Sequence, residues 1–396
     1  MDENDFRKPF MNKSVFKQAS SLDMSYVPDK LYCRDETIKT LIFNFRRILE
    51  EEVQPSINCL ILGKGGIGKT CTARFFGKNF KSIALEKDIN LFIEYYNCIN
   101  FRSKSKIVRE LLAKHTHGSG RGFSDDEALK LILKQLIREK SYMLLLIDEV
   151  HLLRPDEILA LLDIAETYGH QNAKLSIILI SRNKDWMRIE TERILSRLNE
   201  KIMLKPYNCE ESKQILEYRS ELAFKDYVVD DNILTMISQI VTDHQNMRHG
   251  IEILRKSGIY ADKKGKNKIT ADMIRQASHD VYPTFRYEIV DQLNDQEILS
   301  LYGVTLSLME NNQPFALVDS AFEHYRAICG NYSIEPQVKM SFRKYIRTLN
   351  QLNIIASKTV RIEEAERGRH LELTLLDIPA LKMEEFLKEI LNRKYL

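Results

Sequence analysis

Residues 57–76 read INCLILGKGGIGKTCTARFF, and no other stretch constrains the fold of this chain as strongly. An apolar run, a glycine-rich turn closing on Lys-Thr and a helix-compatible segment follow one another in the order a phosphate-binding P-loop requires. Glycines let backbone N–H groups turn inward on an anion, at a helix N-terminus whose dipole favours negative charge. The match to GxxxxGK[ST] assigns Gly63, Lys64, Gly65, Gly66, Ile67, Gly68, Lys69 and Thr70 to a nucleotide, and Cys71, the next residue, is a candidate beside them. Lys69 would reach the β and γ oxygens and Thr70 would ligate Mg²⁺. ATP or ADP with Mg²⁺ is therefore the expected cofactor set.

A second motif, YMLLLIDEVHLL, supplies the acids that such a site needs. Asp148 ends a buried strand, where its carboxylate can hold magnesium through water, and Glu149 can polarise an attacking water. The run LSIILISRN then ends in Ser181-Arg182-Asn183, polar groups that a strand end would set beside the γ-phosphate. Arg193 and Arg197 follow on the next helix, where an arginine can be offered to a neighbouring subunit's nucleotide. Arg248, within QNMRHGIEILR, is positioned to fold back over the nucleotide. The catalytic candidates are Glu149, Asn183, Arg193 and Arg248, and the metal candidates Thr70 and Asp148.

At 396 residues the chain exceeds what one core holds, so several domains are expected. Up to about residue 205, five apolar runs (INCLIL, LFIEYYNCI, YMLLLID, LSIILIS, KIML) alternate with helical patterns. That alternation predicts an α/β domain with a mainly parallel sheet over 1–205, entry segment included. Residues 206–282 are helix-patterned throughout and predict a small all-α domain; 285–396 form a third. Six scattered cysteines without a CxxC pair argue against a zinc site or disulfide framework and fit a cytoplasmic protein. The longest apolar runs are strand-length, which excludes a membrane span.

The net charge of +3 conceals local asymmetry. From Pro336 to Ile355 no acidic residue occurs. Val338, Phe342, Tyr345 or Ile346, Leu349 and Leu352 make an apolar stripe at helical spacing, with Met340, Arg343, Lys344 and Arg347 on the other side. Two apolar-periodic helices precede this one and a β-hairpin with Glu-Arg-Gly-Arg at its tip follows. Three helices and a two-stranded wing describe a winged helix-turn-helix, which sets its third helix in the DNA major groove. The DNA-binding candidates there are Lys339, Arg343, Lys344 and Arg347, with Arg361, Arg367 and Arg369 in the wing. A second basic stretch, FRSKSKIVRELLAKHTHGSGRGF, offers Lys104, Lys106 and Arg109 for phosphate contacts that read no sequence.

Taken together, these motifs resemble the archaeal replication initiators related to the eukaryotic origin recognition complex and cell-division-control loader. The resemblance runs from SVFKQASSLDMSYVPDKLYCRDETIKTL through GKGGIGKT, IDEVHLL, ISRN…ERILSRL and MRHGIEILRKSGIYA to LNQLNII…RGRHLEL. It implies an AAA+ domain with a helical lid, ATP between them and a C-terminal winged helix on duplex origin DNA. Implied partners are the replicative minichromosome maintenance helicase and paralogous initiators; the basic stretch becomes the family's helical insertion. It also implies that Arg248 is the lid's sensor arginine and Arg193 the inter-subunit finger. The chain departs from the family twice. Counting back eleven residues from Arg193 puts the family's sensor asparagine on Arg182, with Asn183 one place later, so either the strand end shifts or hydrolysis is altered. The lid motif reads Gln245-Asn246-Met247-Arg248 without the usual Gly-Asp. Two other readings stay open: a STAND-type regulatory NTPase whose winged helix contacts protein, and a DNA-binding protein whose nucleotide site is hydrolysis-dead.

Overall fold

The computed structural model describes residues 14–50, 56–116, 122–164, 167, 174–281, 290, 293–311, 314–352, 354–361, 369–376 and 379–395. The described chain divides into two compact units, one formed by residues 24–211 with Gln245–Arg248, the other by the remainder.

The first unit is built on β1 (Asn58–Gly63), β2 (Asn90–Asn97), β3 (Ser141–Asp148), β4 (Leu175–Arg182) and β5 (Glu200–Met203). The five are parallel, in the order β2-β3-β4-β1-β5, and they are the five apolar runs of the sequence. Strands β1 and β3 are buried at every position, which is why they read as continuous apolar runs and do not alternate. Their side chains still point to opposite faces by turns. Cys59 and Ile61 pack against α1 (Asp35–Phe45) and α2 (Lys69–Glu86), with Phe45, Phe76 and Phe80 in one cluster. Leu60 and Leu62 face the other way, toward α3 (Lys104–His115), α4 (Asp125–Arg138) and α5 (Pro155–Leu162). Two one-turn helices, α6 (Asn183–Trp186) and α7 (Glu192–Leu195), follow β4. Because β1 lies between β4 and β5, the carboxyl ends of the strands form the crevice in which sheets of this kind hold ligands.

The second unit holds most of α8 (Cys209–Ala223), α9 (Asp231–His244), most of α10 (Met247–Lys263) and α11 (Ala271–Val281). It continues with α12 (Asp295–Asn311), α13 (Val318–Asn331), α14 (Lys339–Gln351) and α15 (Ala380–Tyr395). Three antiparallel strands, β6 (Ala316–Leu317), β7 (Ile355–Arg361) and β8 (Arg369–Leu375), complete it in the order β6-β8-β7. The wing is therefore three-stranded and not the expected hairpin alone: the two residues of β6 were too few to register as a periodic run. On α14, Phe342, Ile346 and Leu349 are buried, and the Phe342 ring lies 5.3 Å from Phe322 and 5.2 Å from Tyr325. The ends of the expected apolar stripe are out of the core, with Val338 68% and Leu352 39% exposed. Each caps the helix at one end, so neither shares the buried face of its middle turns.

A buried arginine joins the helical segment to the winged helix within this unit. Arg275 of α11 is 1% exposed; it donates to Asp272 at 2.8 Å and, through Nη2, to the carbonyl of Pro314 at 3.2 Å. The Asp272 carboxylate in turn accepts the Ala380 N–H at 3.3 Å. Burial pulls the guanidinium's pKa down, while Asp272 opposes that shift.

The entry segment departs from the expected 1–205 grouping, because its described residues up to Asp23 cluster with the helical segment. The Lys17 N–H donates to Ala223 O at 2.8 Å, Ser14 Oγ to Asp262 at 2.6 Å, and Phe16 stacks on Phe224 at 4.8 Å. Gly258 makes this docking possible, since a Cβ there would stand 2.4 Å from Phe16 and 2.5 Å from Phe224. Gly258→Ala is expected to destabilise this unit by about 1–3 kcal/mol despite its better helix propensity. Thermal melts of Gly258→Ala with and without Phe16→Ala check this. The alanine should cost less once the Phe16 ring is gone, and equal costs would place the clash elsewhere.

Candidate functional site

The P-loop leaves β1 at Gly63 and enters α2 at Lys69. Gly66 and Gly68 take φ values of +74° and +90°, a region that side chains rarely adopt. A Cβ on Gly66 would also fall 1.8 Å from Asn246 Oδ1, so the loop accepts only glycine at this point. Lys69 is 7% exposed and its ammonium donates to the carbonyls of Lys64 at 2.6 Å and Gly63 at 3.1 Å. Burial lowers its pKa, and the nearby Glu149 and Asp148 carboxylates oppose that shift. Its ammonium thus rests on the loop, where phosphate oxygens could replace carbonyl oxygens as acceptors.

Thr70 Oγ1 donates to Asp148 Oδ2 at 2.6 Å, which brings a hydroxyl and a carboxylate together as a hard-cation donor set. Tyr95 Oη donates to the same oxygen at 2.9 Å, and the Glu149 N–H to Asp148 Oδ1 at 2.9 Å. Burial first, then Asp148, pushes the Tyr95 phenol up to about 12, so it remains a proton donor across the neutral range.

Arg34, in the turn before α1, also holds the loop. Its Nη2 donates to Ile67 O at 2.9 Å and Lys205 O at 3.1 Å, and its guanidinium lies 3.8 Å from the Tyr207 ring centre. Tyr95, Tyr207 and His151 escaped the sequence reading, and Arg34 entered it only as part of the entry segment. Each is a single polar residue on a separate element, paired across a long sequence distance, and leaves no spacing to detect.

Strand β4 pairs Arg182 with Gly63, so Arg182 occupies the strand end beside the P-loop. Asn183 is the first residue of α6, one place beyond the strand end. Around Arg182 is a cluster that the sequence did not announce. Its Nε lies 2.8 Å from Asp185 Oδ2 and 3.7 Å from Glu149 Oε2. His151 Nδ1 stands 3.0 Å from Ser181 Oγ, while its Nε2 faces Glu149 at 3.5 Å and Asp185 at 3.7 Å. Glu149 itself sits at φ +52°, a strained setting for a non-glycine residue.

Gln245–Arg248 belong to the same compact unit as the P-loop. Lys64 Nζ donates to Gln245 Oε1, and the Arg248 N–H to Gly66 O at 3.3 Å. Gln245 takes φ +52°, the conformation the family's glycine would adopt without strain, and Asn246 Oδ1 caps α10 by accepting the Arg248 N–H at 3.1 Å. The two arginines after β4 differ: Arg197 pairs with Asp163 at 2.7 Å, whereas Arg193 is exposed.

The basic candidates sort by their partners. On α3, Lys106 and Arg109 are exposed one turn apart, but Lys104 is half-buried and 3.9 Å from Asp125. Lys114 is engaged by Glu94 at 3.0 Å. On α14, Arg343, Lys344 and Arg347 are exposed together with Met340, 83% exposed, while Lys339 lies 2.6 Å from Asp319. Arg361 and Arg369 face one another in the β7–β8 register, and Arg367 lies outside the described residues.

Three family profiles match the chain. The AAA domain covers residues 56–185, the Cdc6 AAA+ ATPase-type lid domain 213–279, and the CDC6 C-terminal winged helix domain 288–385. The chain belongs to the archaeal Orc1/Cdc6 family of AAA+ ATPases. Among Orc1/Cdc6 relatives, the ORC1-type DNA replication protein 1 of Archaeoglobus fulgidus is 27% identical over 378 residues, covering 94% of this chain and 90% of its own. The crystal structure of Cdc6p from Pyrobaculum aerophilum superposes with a TM-score of 0.84 at 21% identity, covering 97% of this chain and all (100%) of that one. The Aeropyrum pernix ORC2 protein in its ADPNP–ADP complexes (TM-score 0.64, 21% identity, 96% and 99% coverage) has the same fold. So has the Aeropyrum pernix ORC1 protein in complex with DNA, at TM-score 0.61 and 21% identity, with 98% and 100% covered. Orc1/Cdc6 membership bears out the α/β AAA+ fold with helical lid and winged helix, and it sets aside the STAND-type reading. Among the described residues, no helix is long and apolar enough to cross a membrane.

Proposed function

We propose that this chain is a replication initiator that binds duplex DNA at origins under the control of bound ATP. One observation carries the reading: a buried Lys69 beside the Thr70–Asp148 pair, in a chain whose winged helix exposes Arg343, Lys344 and Arg347 on one helix. In this reading residues 63–71 would hold the phosphates, and Thr70 and Asp148 would hold Mg²⁺, whose charge would offset that of the phosphates. Glu149 polarises the attacking water, Arg248 contacts the nucleotide from the lid side, and the exposed Arg193 is available to a neighbouring initiator. Met340, Arg343, Lys344 and Arg347 meet the major groove, while Lys106 and Arg109 neutralise backbone phosphates. Arg361, Arg367 and Arg369 are the wing's candidates for contacts to the adjoining DNA backbone. DNA-bound initiators of this type would help recruit the replicative minichromosome maintenance helicase, in the nucleoid, with slow hydrolysis as the switch.

Chromatin immunoprecipitation with sequencing tests the biological role. A sharp peak at a replication origin supports it, and signal spread evenly along the genome overturns it. The second reading, nucleotide held without turnover, draws on Arg182 at the strand end. Single-turnover hydrolysis with and without DNA separates the two.

A further inference from the structure

We infer that Arg182 and His151 are positioning residues that restrain Glu149, so that bound ATP is kept long and hydrolysed slowly. The inference rests on the nucleotide site proposed above and names the device that slows it. A water-polarising carboxylate needs a basic oxygen open to the water whose proton it draws. Here Glu149 Oε2 is buried and faces two nitrogens, His151 Nε2 at 3.5 Å and Arg182 Nε at 3.7 Å. The ion pair with Arg182 draws the carboxylate toward the guanidinium, and the burial of Oε2 leaves that oxygen closed to the water it would polarise.

The restraint is built from fixed parts. Asp185, in the first turn of α6, holds the Arg182 guanidinium at 2.8 Å. Ser181, one residue earlier on β4, holds His151 by Nδ1 at 3.0 Å, which leaves Nε2 directed at Glu149 and Asp185. Arg182 Nη2 also lies 3.4 Å from His151 Nε2, closing the ring of contacts. The backbone takes part, because Glu149 at φ +52° is held in a conformation that only surrounding structure can maintain. An asparagine at Arg182, the residue the family pattern places there, carries no charge and cannot form the ion pair.

Single-turnover ATP hydrolysis by the full chain, with ATP affinity measured in parallel, is the test. Arg182→Asn is expected to hydrolyse bound ATP about tenfold faster at unchanged affinity, the signature of a change confined to the chemical step. Adding Glu149→Gln should abolish that gain. In the absence of nucleotide, thermal melts of Arg182→Gln, Glu149→Gln and the double variant should be non-additive, because the pair interacts directly. An Arg182→Asn chain that binds ATP but is no faster than wild type overturns the inference, and so do additive melts. If the wild-type chain binds no ATP, the nucleotide reading fails instead, and the melting cycle still decides the restraint.

Discussion

Lys69→Ala is expected to lower ATP and ADP affinity by about two to three orders of magnitude, the loss of one or two charge-assisted hydrogen bonds to phosphate in a water-poor site. The expectation follows from where the ammonium sits. It is buried, its pKa is lowered by that burial, and its two acceptors are loop carbonyls that a nucleotide's oxygens can replace without moving the lysine far. Phosphate would also relieve the desolvation of the ammonium, so the interaction is worth more here than at an exposed lysine. The fold should survive, because the sheet core is formed by β1, β3 and β4 and does not rest on this side chain. Isothermal titration with ATP, alongside a thermal melt of the same sample, gives both readings. Undiminished affinity would refute the assignment of Lys69 to the phosphates.

The second large effect belongs to the winged helix. Arg343→Ala together with Arg347→Ala is expected to weaken binding to origin duplex by about 30- to 25,000-fold, from about 1–3 kcal/mol per arginine. Both side chains are exposed one turn apart, while Phe342, Ile346 and Leu349 hold the opposite face in the core, so the double variant should fold as the wild type does. Filter binding across a salt series separates two ways of losing affinity. If the arginines contact phosphates, the slope of log K against log salt falls by about two units. If they read base edges, the slope changes less and preference for the origin sequence relaxes. Unchanged affinity at moderate salt would remove α14 from the DNA interface.

Much of the fold could be read before any coordinates because it is written in periodic or contiguous patterns. The strands β1 to β5 are apolar runs, the P-loop is a fixed spacing, and Phe342, Ile346 and Leu349 repeat at helical intervals. What the sequence hid are isolated polar residues whose meaning depends on a distant partner. Arg34 binds Ile67 and Lys205, His151 meets Ser181 and Asp185, and Arg275 reaches Pro314. None has a neighbour in sequence that shares its task. Charge counts are silent in a related way: Lys104 and Lys339 read like their basic neighbours, and their pairing with Asp125 and Asp319 shows only in the structure. The strand end was ambiguous by one residue in sequence, and the pairing of Arg182 with Gly63 resolved it.

Arg275 limits how this protein can be dissected. Its guanidinium leaves α11 and ends on a carbonyl before β6, on the far side of Val281–Val290. A winged-helix fragment begun after that stretch would lose the donor that satisfies Pro314, and a helical fragment ended before it would carry a cation shaped for a dry interior. Leaving the buried Pro314 carbonyl without its donor costs about 1–3 kcal/mol, a sizeable share of a domain's stability. The reading head and the helical segment would therefore be inherited, exchanged or expressed as one cassette, and a DNA-binding domain trimmed to the motif would fold poorly without its neighbour.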